Sequence, residues 1–168
     1  LDPASTRRRG GSPDFEVTLD YSEISVEDIM PLQDELNLHP TAMEAAYLIH
    51  NKFGRSWLSA LLAQDKSVKE FAEEVGAHAE SIGALYRKLK QLERFSFLTN
   101  SNLTSSQSQN LNKQNRACKD KRSSGVRSVI DELLNYLDRG INVVLEFGNH
   151  TSMLCYLLVA NIITRRIH

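Results

Sequence analysis

Three polar side chains stand at the end of the most apolar stretch of the chain. In "INVVLEFGNHTSMLCYLLVANIITRRIH" the run from Ile141 to Phe147 brings Glu146, Asn149 and His150 to a short loop, and Arg165 and Arg166 follow late in the next segment. Ligands of open α/β sheets meet the loops at the carboxyl ends of strands, so a carboxylate there can hold a water or a cation. Loop hydrogen bonds and the cap of the following helix would occupy Glu146 and Asn149 in a different way. The arginine pair also fits two roles. It can reach the phosphates of a neighbouring subunit in a ring, or it can complement the C-terminus of its own helix.

A second group has the spacing of a helix-turn-helix. In "SVKEFAEEVGAHAESIGALYRKL" a small residue, Ala72, stands where two helices would cross, Gly76 fills the turn and Ile82 locks the second helix. Phe71, Val75 and Leu85 fill its apolar positions. Residues 67–94 therefore read as a non-enzymatic DNA-binding module or as a structural helix pair, with Ser81, Arg87, Lys88 and Lys90 as candidate DNA contacts. A base reader needs donors on its first turns and phosphate partners around them. Those turns offer His78, Glu80 and Ser81, and the supporting helix carries Glu70, Glu73 and Glu74, which repel phosphate. The basic side chains come only later.

Self-contained enzymatic chemistry has no signature here. The sequence has no GxxxxGK[ST], no GxGxxG, no HExxH, no nucleophile elbow and no His/Cys cluster at metal spacing. Cys118 and Cys155 form no CxxC, which points to a reduced, cytoplasmic protein without structural zinc. "LDPASTRRRGG" lacks the apolar core of a signal peptide, and the run from Met153 to Ile163 is short and broken by Asn161, so no membrane span is expected. The net charge of -1 conceals a split: residues 1–86 carry 7 basic and 15 acidic side chains, residues 87–168 carry 13 and 6. Either an anionic ligand such as nucleic acid lies near the second half, or the halves attract each other.

The elements that would position these groups follow from periodicity. "LDPASTRRRGGSP" reads as loop, and "DFEVTLD" alternates as a strand with Phe15, Val17 and Leu19 on its dry face. Five helical stretches follow. "SVED" opens the first with a capping-type start, and Pro31 weakens its middle. Pro40 or Thr41 opens the second and Gly54 closes it, and Ser67 and Gly76 bound the fourth. Residues 99–125, rich in Ser, Asn and Gln, are expected to be a mobile polar loop. A helix ending at Gly140, a strand over "INVVLEF" buried on both faces, and a final helix complete the order. A strand covered on both faces needs parallel neighbours, and only one other strand is evident. The sheet is too small to close its own core, so the chain is expected to be a piece of a larger protein.

The phrases "LDPASTRRRG", "SPDFEV", "EDIMPL", "TAMEAAYLI" and above all "YLDRGINVVLEFGNHTSMLCYLLVANIITRRIH" resemble the HerA-type ATPases of the HerA/FtsK superfamily. The likeness covers most of the chain. It is strongest over residues 1–29 and 136–168 and weakest across residues 99–125. The resemblance implies an α/β fold: a fragment of a RecA-like P-loop ATPase core, between the Walker A and Walker B segments, with a predominantly helical inserted subdomain. Its expected division is core loop and strand at 1–20, helical insert at 21–98, polar loop at 99–125, and helix–strand–helix of the core at 126–168. It further implies ATP and Mg bound elsewhere in the parent protein and none by this chain alone. Double-stranded DNA is the implied substrate of a hexameric translocating ring, with a nuclease as a possible partner.

Overall fold

The computed structural model describes residues 1–63, 67–100 and 129–167. The expected polar loop, apart from Thr99 and Asn100, lies outside the described residues. So do Cys118 and the first residues of the helix that ends before Gly140.

The first element is one the sequence reading assigned to a loop. Helix α1 spans Pro3–Arg8. Asp2 caps it by accepting from the Ser5 amide, and Pro3 sits at the first helical position, where its missing N–H costs nothing. Gly10, at φ 82°, turns the chain away. Pro3 and Gly10, two of the residues that suggested loop, mark this helix's start and the turn after it.

Strand β1 is shorter than the alternation of "DFEVTLD" predicted. Val17 and Leu19 are buried while Asp14 and Glu16 face solvent, as the alternation requires. Only Leu19–Asp20 is paired, and its partner was not expected: β2, Leu98–Thr99, lies parallel, with Leu19 opposite Leu98 and Asp20 opposite Thr99. The Leu19 amide donates to the Phe97 carbonyl at 2.8 Å.

Between these strands lies the helical part. A 3-10 turn at Tyr21–Glu23 leads to α2, Val26–Ile29, and Ser25 and Asp28 form the predicted capping box at its start. Pro31 ends α-helical geometry, and Met30–Leu32 continues as a 3-10 turn. Helix α3 spans Pro40–Phe53 and stops at Gly54, φ 56°. Helix α4, Trp57–Leu62, follows almost at once. Helix α5, Val68–Val75, begins in a Ser67–Glu70 capping box and ends at left-handed Gly76. Helix α6, Ala79–Leu89, continues into a 3-10 turn at Lys90–Arg94. Their apolar stripes form one core: Ala42, Ala46 and Ile49 of α3 meet Ile82, Leu85 and Leu89 of α6, with Trp57, Leu58 and Leu61 of α4 alongside.

Helix α7, Val129–Asp138, and helix α8, Met153–Ile167, pack together, and α8 also crosses α2. Between them the structure departs from the sequence reading. Residues 141–147 form no strand, and they are not buried on both faces: Val144 is 90% exposed and Ile141 is 40% exposed. The run has the composition of a central strand, but among the described residues nothing forms a ladder with it. The described chain is therefore mostly helical, with a two-stranded parallel sheet, as suits an α/β segment.

Candidate functional site

The loop after residue 147 closes onto α1. Gly148 adopts φ 59°, and a Cβ there would lie 2.6 Å from the Asp2 side chain, so a glycine is required on both counts. This close approach lets the Asn149 amide donate to Asp2 Oδ2 at 3.0 Å, while the Ser5 amide donates to Oδ1 at 3.1 Å. Glu146 accepts from the Thr6 hydroxyl and pairs with Arg9. His150 lies edge-on to Phe95 and Phe97, at 6.1 and 5.3 Å between ring centroids, and its Nε2 is 3.4 Å from the Ser96 hydroxyl.

Of the alternatives for Glu146 and Asn149, the geometry displays internal hydrogen bonding. The Glu146 carboxylate is engaged by α1, and Asn149 contributes its backbone amide. Among the described residues no group of three or more His, Cys, Asp and Glu side chains is placed to hold a metal. The role of Asp2 had no signal in the sequence beyond its place before Pro3.

The Asn149 amide, and then the Ser5 amide, hold the Asp2 carboxyl below its ordinary 3.8. A depressed folded pKa means the contact is intact above the unfolded value and is lost as pH falls through the folded one. The expected NMR titration of Asp2 therefore has its midpoint below 3.8, with the Asn149 amide resonance moving in step. A midpoint at or above 3.8 would refute the clamp.

Arg165 and Arg166 part company. The Arg165 guanidinium grips the fully buried Asp28 through two hydrogen bonds of 2.7 Å, tying the end of α8 to the start of α2. That bond raises the Arg165 pKa. Arg166 is exposed on the last turn.

The helix pair of the second candidate region forms as its spacing required. Phe71, Ala72, Ile82 and Leu85 are buried, Val75 packs against the core, and Gly76 makes the turn. Phe53 of α3 stacks on Phe71 at 5.8 Å. Ser81 and Lys88 are half-buried and Arg87 is exposed. Lys90 is exposed, pairs with Glu93 at 3.3 Å and sits 5.3 Å over the Tyr86 ring. The basic side chains thus lie toward the C-terminal end of α6, away from the turns that would read bases. Cys155 is buried, and burial pushes its thiol up to about 11, so it is not a thiolate nucleophile at neutral pH.

The described residues form a mostly helical structure beside a small two-stranded parallel sheet, and the run of residues 141–147 pairs with no strand among them. The chain belongs to the family of the HerA helicase central domain, whose model matches residues 2–167. The match extends across the polar stretch where the resemblance was weakest. No curated protein and no solved structure matches the chain. Among the described residues no helix is long and apolar enough to cross a membrane.

Proposed function

We propose that this chain is a segment of an ATP-dependent double-stranded DNA translocase or helicase of HerA type, working in a homo-oligomeric, hexameric ring. The observation that carries this reading is the family match over residues 2–167. Residues 1–20 and 126–168 would belong to a RecA-like core, and residues 21–98 to its helical insert. ATP and Mg do not fit the residues described here: the sequence has no phosphate cradle, and Glu146 is engaged by Thr6 and Arg9. Both would bind outside this chain, so no hydrolytic step is assigned to its residues.

A translocase needs contacts with the DNA backbone that do not depend on sequence. Arg87, Lys88 and Lys90 would serve as such contacts, with Ser81 at the margin. Arg166, exposed on the last turn and near Glu23, would be the arginine that reaches a neighbouring subunit, since Arg165 is bound to Asp28. A nuclease partner, known of some HerA-type ATPases, would act beside such a ring.

The test is to express the chain with its flanking coding sequence and measure ATP turnover with and without duplex DNA. Turnover stimulated by duplex DNA is expected, and Arg166→Ala is expected to reduce it while leaving thermal stability unchanged. Replacing Arg87 or Lys90 with alanine should lower the salt slope of DNA binding by about one unit per contact removed. A folded protein with no ATP turnover would refute the reading. Duplex binding by residues 1–168 alone that selects one sequence would favour the helix-turn-helix module instead.

A further inference from the structure

From the contact between Met30 and Tyr47 we infer that Met30 is a reversible oxidation site, whose thioether takes an oxygen atom from a hydroperoxide beside the Tyr47 hydroxyl. The chain has three methionines. Met43 lies in the core of α3 at 5% exposure, whereas Met30 and Met153 stand 46% and 58% exposed. Met30 also carries a polar hydrogen at its sulfur: the Tyr47 hydroxyl donates to Met30 Sδ at 2.6 Å. A thioether is a weak acceptor, so this hydroxyl is held at the sulfur without being strongly engaged by it.

The chemistry follows from that placement. A sulfur lone pair attacks the peroxide oxygen that carries the proton. The S–O bond forms as the O–O bond breaks, the proton passes to the leaving oxygen, and water or an alcohol departs. Sulfur loses two electrons and the peroxide gains them. Negative charge builds on the leaving oxygen as its bond breaks, and a hydroxyl already at the sulfur is placed to donate to it. The product carries a polar sulfoxide oxygen where Tyr47 already donates, so a strong acceptor replaces a weak one. Burial does not oppose this at Met30. At Met43 the same oxygen would have to sit in the apolar core. Met30 opens the 3-10 turn Met30–Leu32, which follows α2 and packs on α8. Oxidation therefore tightens the tie between this turn and α3, close to the bond from Asp28 to Arg165.

The experiment exposes residues 1–168 to hydrogen peroxide and follows each methionine by mass spectrometry. Cleavage before aspartate places the three in separate peptides, at 28–33, 34–64 and 138–168. Met30 is expected to oxidise about fivefold faster than Met153, the gain from one hydrogen bond to the transition state, while Met43 stays unchanged. Tyr47→Phe should bring Met30 down to the rate of Met153 and leave Met153 as it was. Methionine sulfoxide reductases for both epimers, with a dithiol, should restore the Met30 thioether. In the unmodified protein the Tyr47 ring resonances should shift in proportion to the Met30 sulfoxide formed. That measurement decides the matter even where Tyr47→Phe unfolds the chain and lets the oxidant reach Met43. Equal rates at Met30 and Met153, a phenylalanine variant that keeps the advantage, or ring resonances that do not move would overturn the inference. A sulfoxide that neither reductase removes would overturn its reversibility.

Discussion

Arg165→Ala is expected to destabilise the chain by about 3 kcal/mol, the lower end of the range for breaking a buried ion pair. Asp28 has no exposed side-chain surface and Arg165 retains 36%, so the lower end applies. Removing the guanidinium leaves a buried carboxylate that keeps only its capping bonds to Ser25, whose amide donates at 2.8 Å and whose hydroxyl lies 3.2 Å away. The Asn161 side chain still donates to the Asp28 carbonyl at 3.2 Å, so α8 stays attached to α2 by a weaker link. At roughly 2–4 °C per kcal/mol for a chain of this size, the melting temperature should fall by about 6–12 °C. Arg165→Lys keeps the charge but loses the paired donors and should recover only part of the loss. The double variant with Asp28→Ala should cost less than the sum of the single changes, because it leaves no buried charge. Urea denaturation measures all of these, and a loss below about 1 kcal/mol for Arg165→Ala would class the pair with exposed salt bridges.

This pair also shows where sequence reasoning stops. The Ser25–Asp28 capping box was legible because its partners lie three residues apart, and Ser67 was legible as a helix start, although its partner Glu70 was not singled out. The stops at Gly54 and Gly76 were legible because only a residue without Cβ adopts those backbone angles cheaply. The bond from Arg165 to Asp28 spans 137 residues and the bond from Thr6 to Glu146 spans 140, and no local pattern encodes either. Strands are hard to read for the same reason. The composition of residues 141–147 reports that they fit a buried sheet, but a ladder exists only where a second strand supplies it. Conversely, Leu98–Thr99 is too short to show any period and becomes a strand because β1 lies beside it.

Trp57→Ala should be the most damaging single change in the chain, at about 4 kcal/mol. Trp57 is fully buried at the start of α4, among the largest side chains in the core. Its indole N–H donates to the Ile24 carbonyl at 2.8 Å. Alanine there opens a cavity and also leaves that carbonyl without its partner. Trp57→Phe separates the two costs: it restores most of the apolar volume but not the donor, and should cost about 1–3 kcal/mol. Since Trp57 is the chain's one tryptophan, its fluorescence reports unfolding of the unmodified protein and circular dichroism must report the variants. A phenylalanine variant as unstable as the alanine one would place the cost in the hydrogen bond. A neutral phenylalanine variant would mean that water or a backbone shift satisfies Ile24. The bond matters beyond stability because Ile24 follows directly on β1 and the Tyr21–Glu23 turn. It fixes the helical part to the strand into which residues 13–18 lead. Losing it should therefore loosen the seat of the helical part on β1 as well as the core, and amide exchange at Leu19 and Asp20 should quicken in Trp57→Phe before α6 is affected.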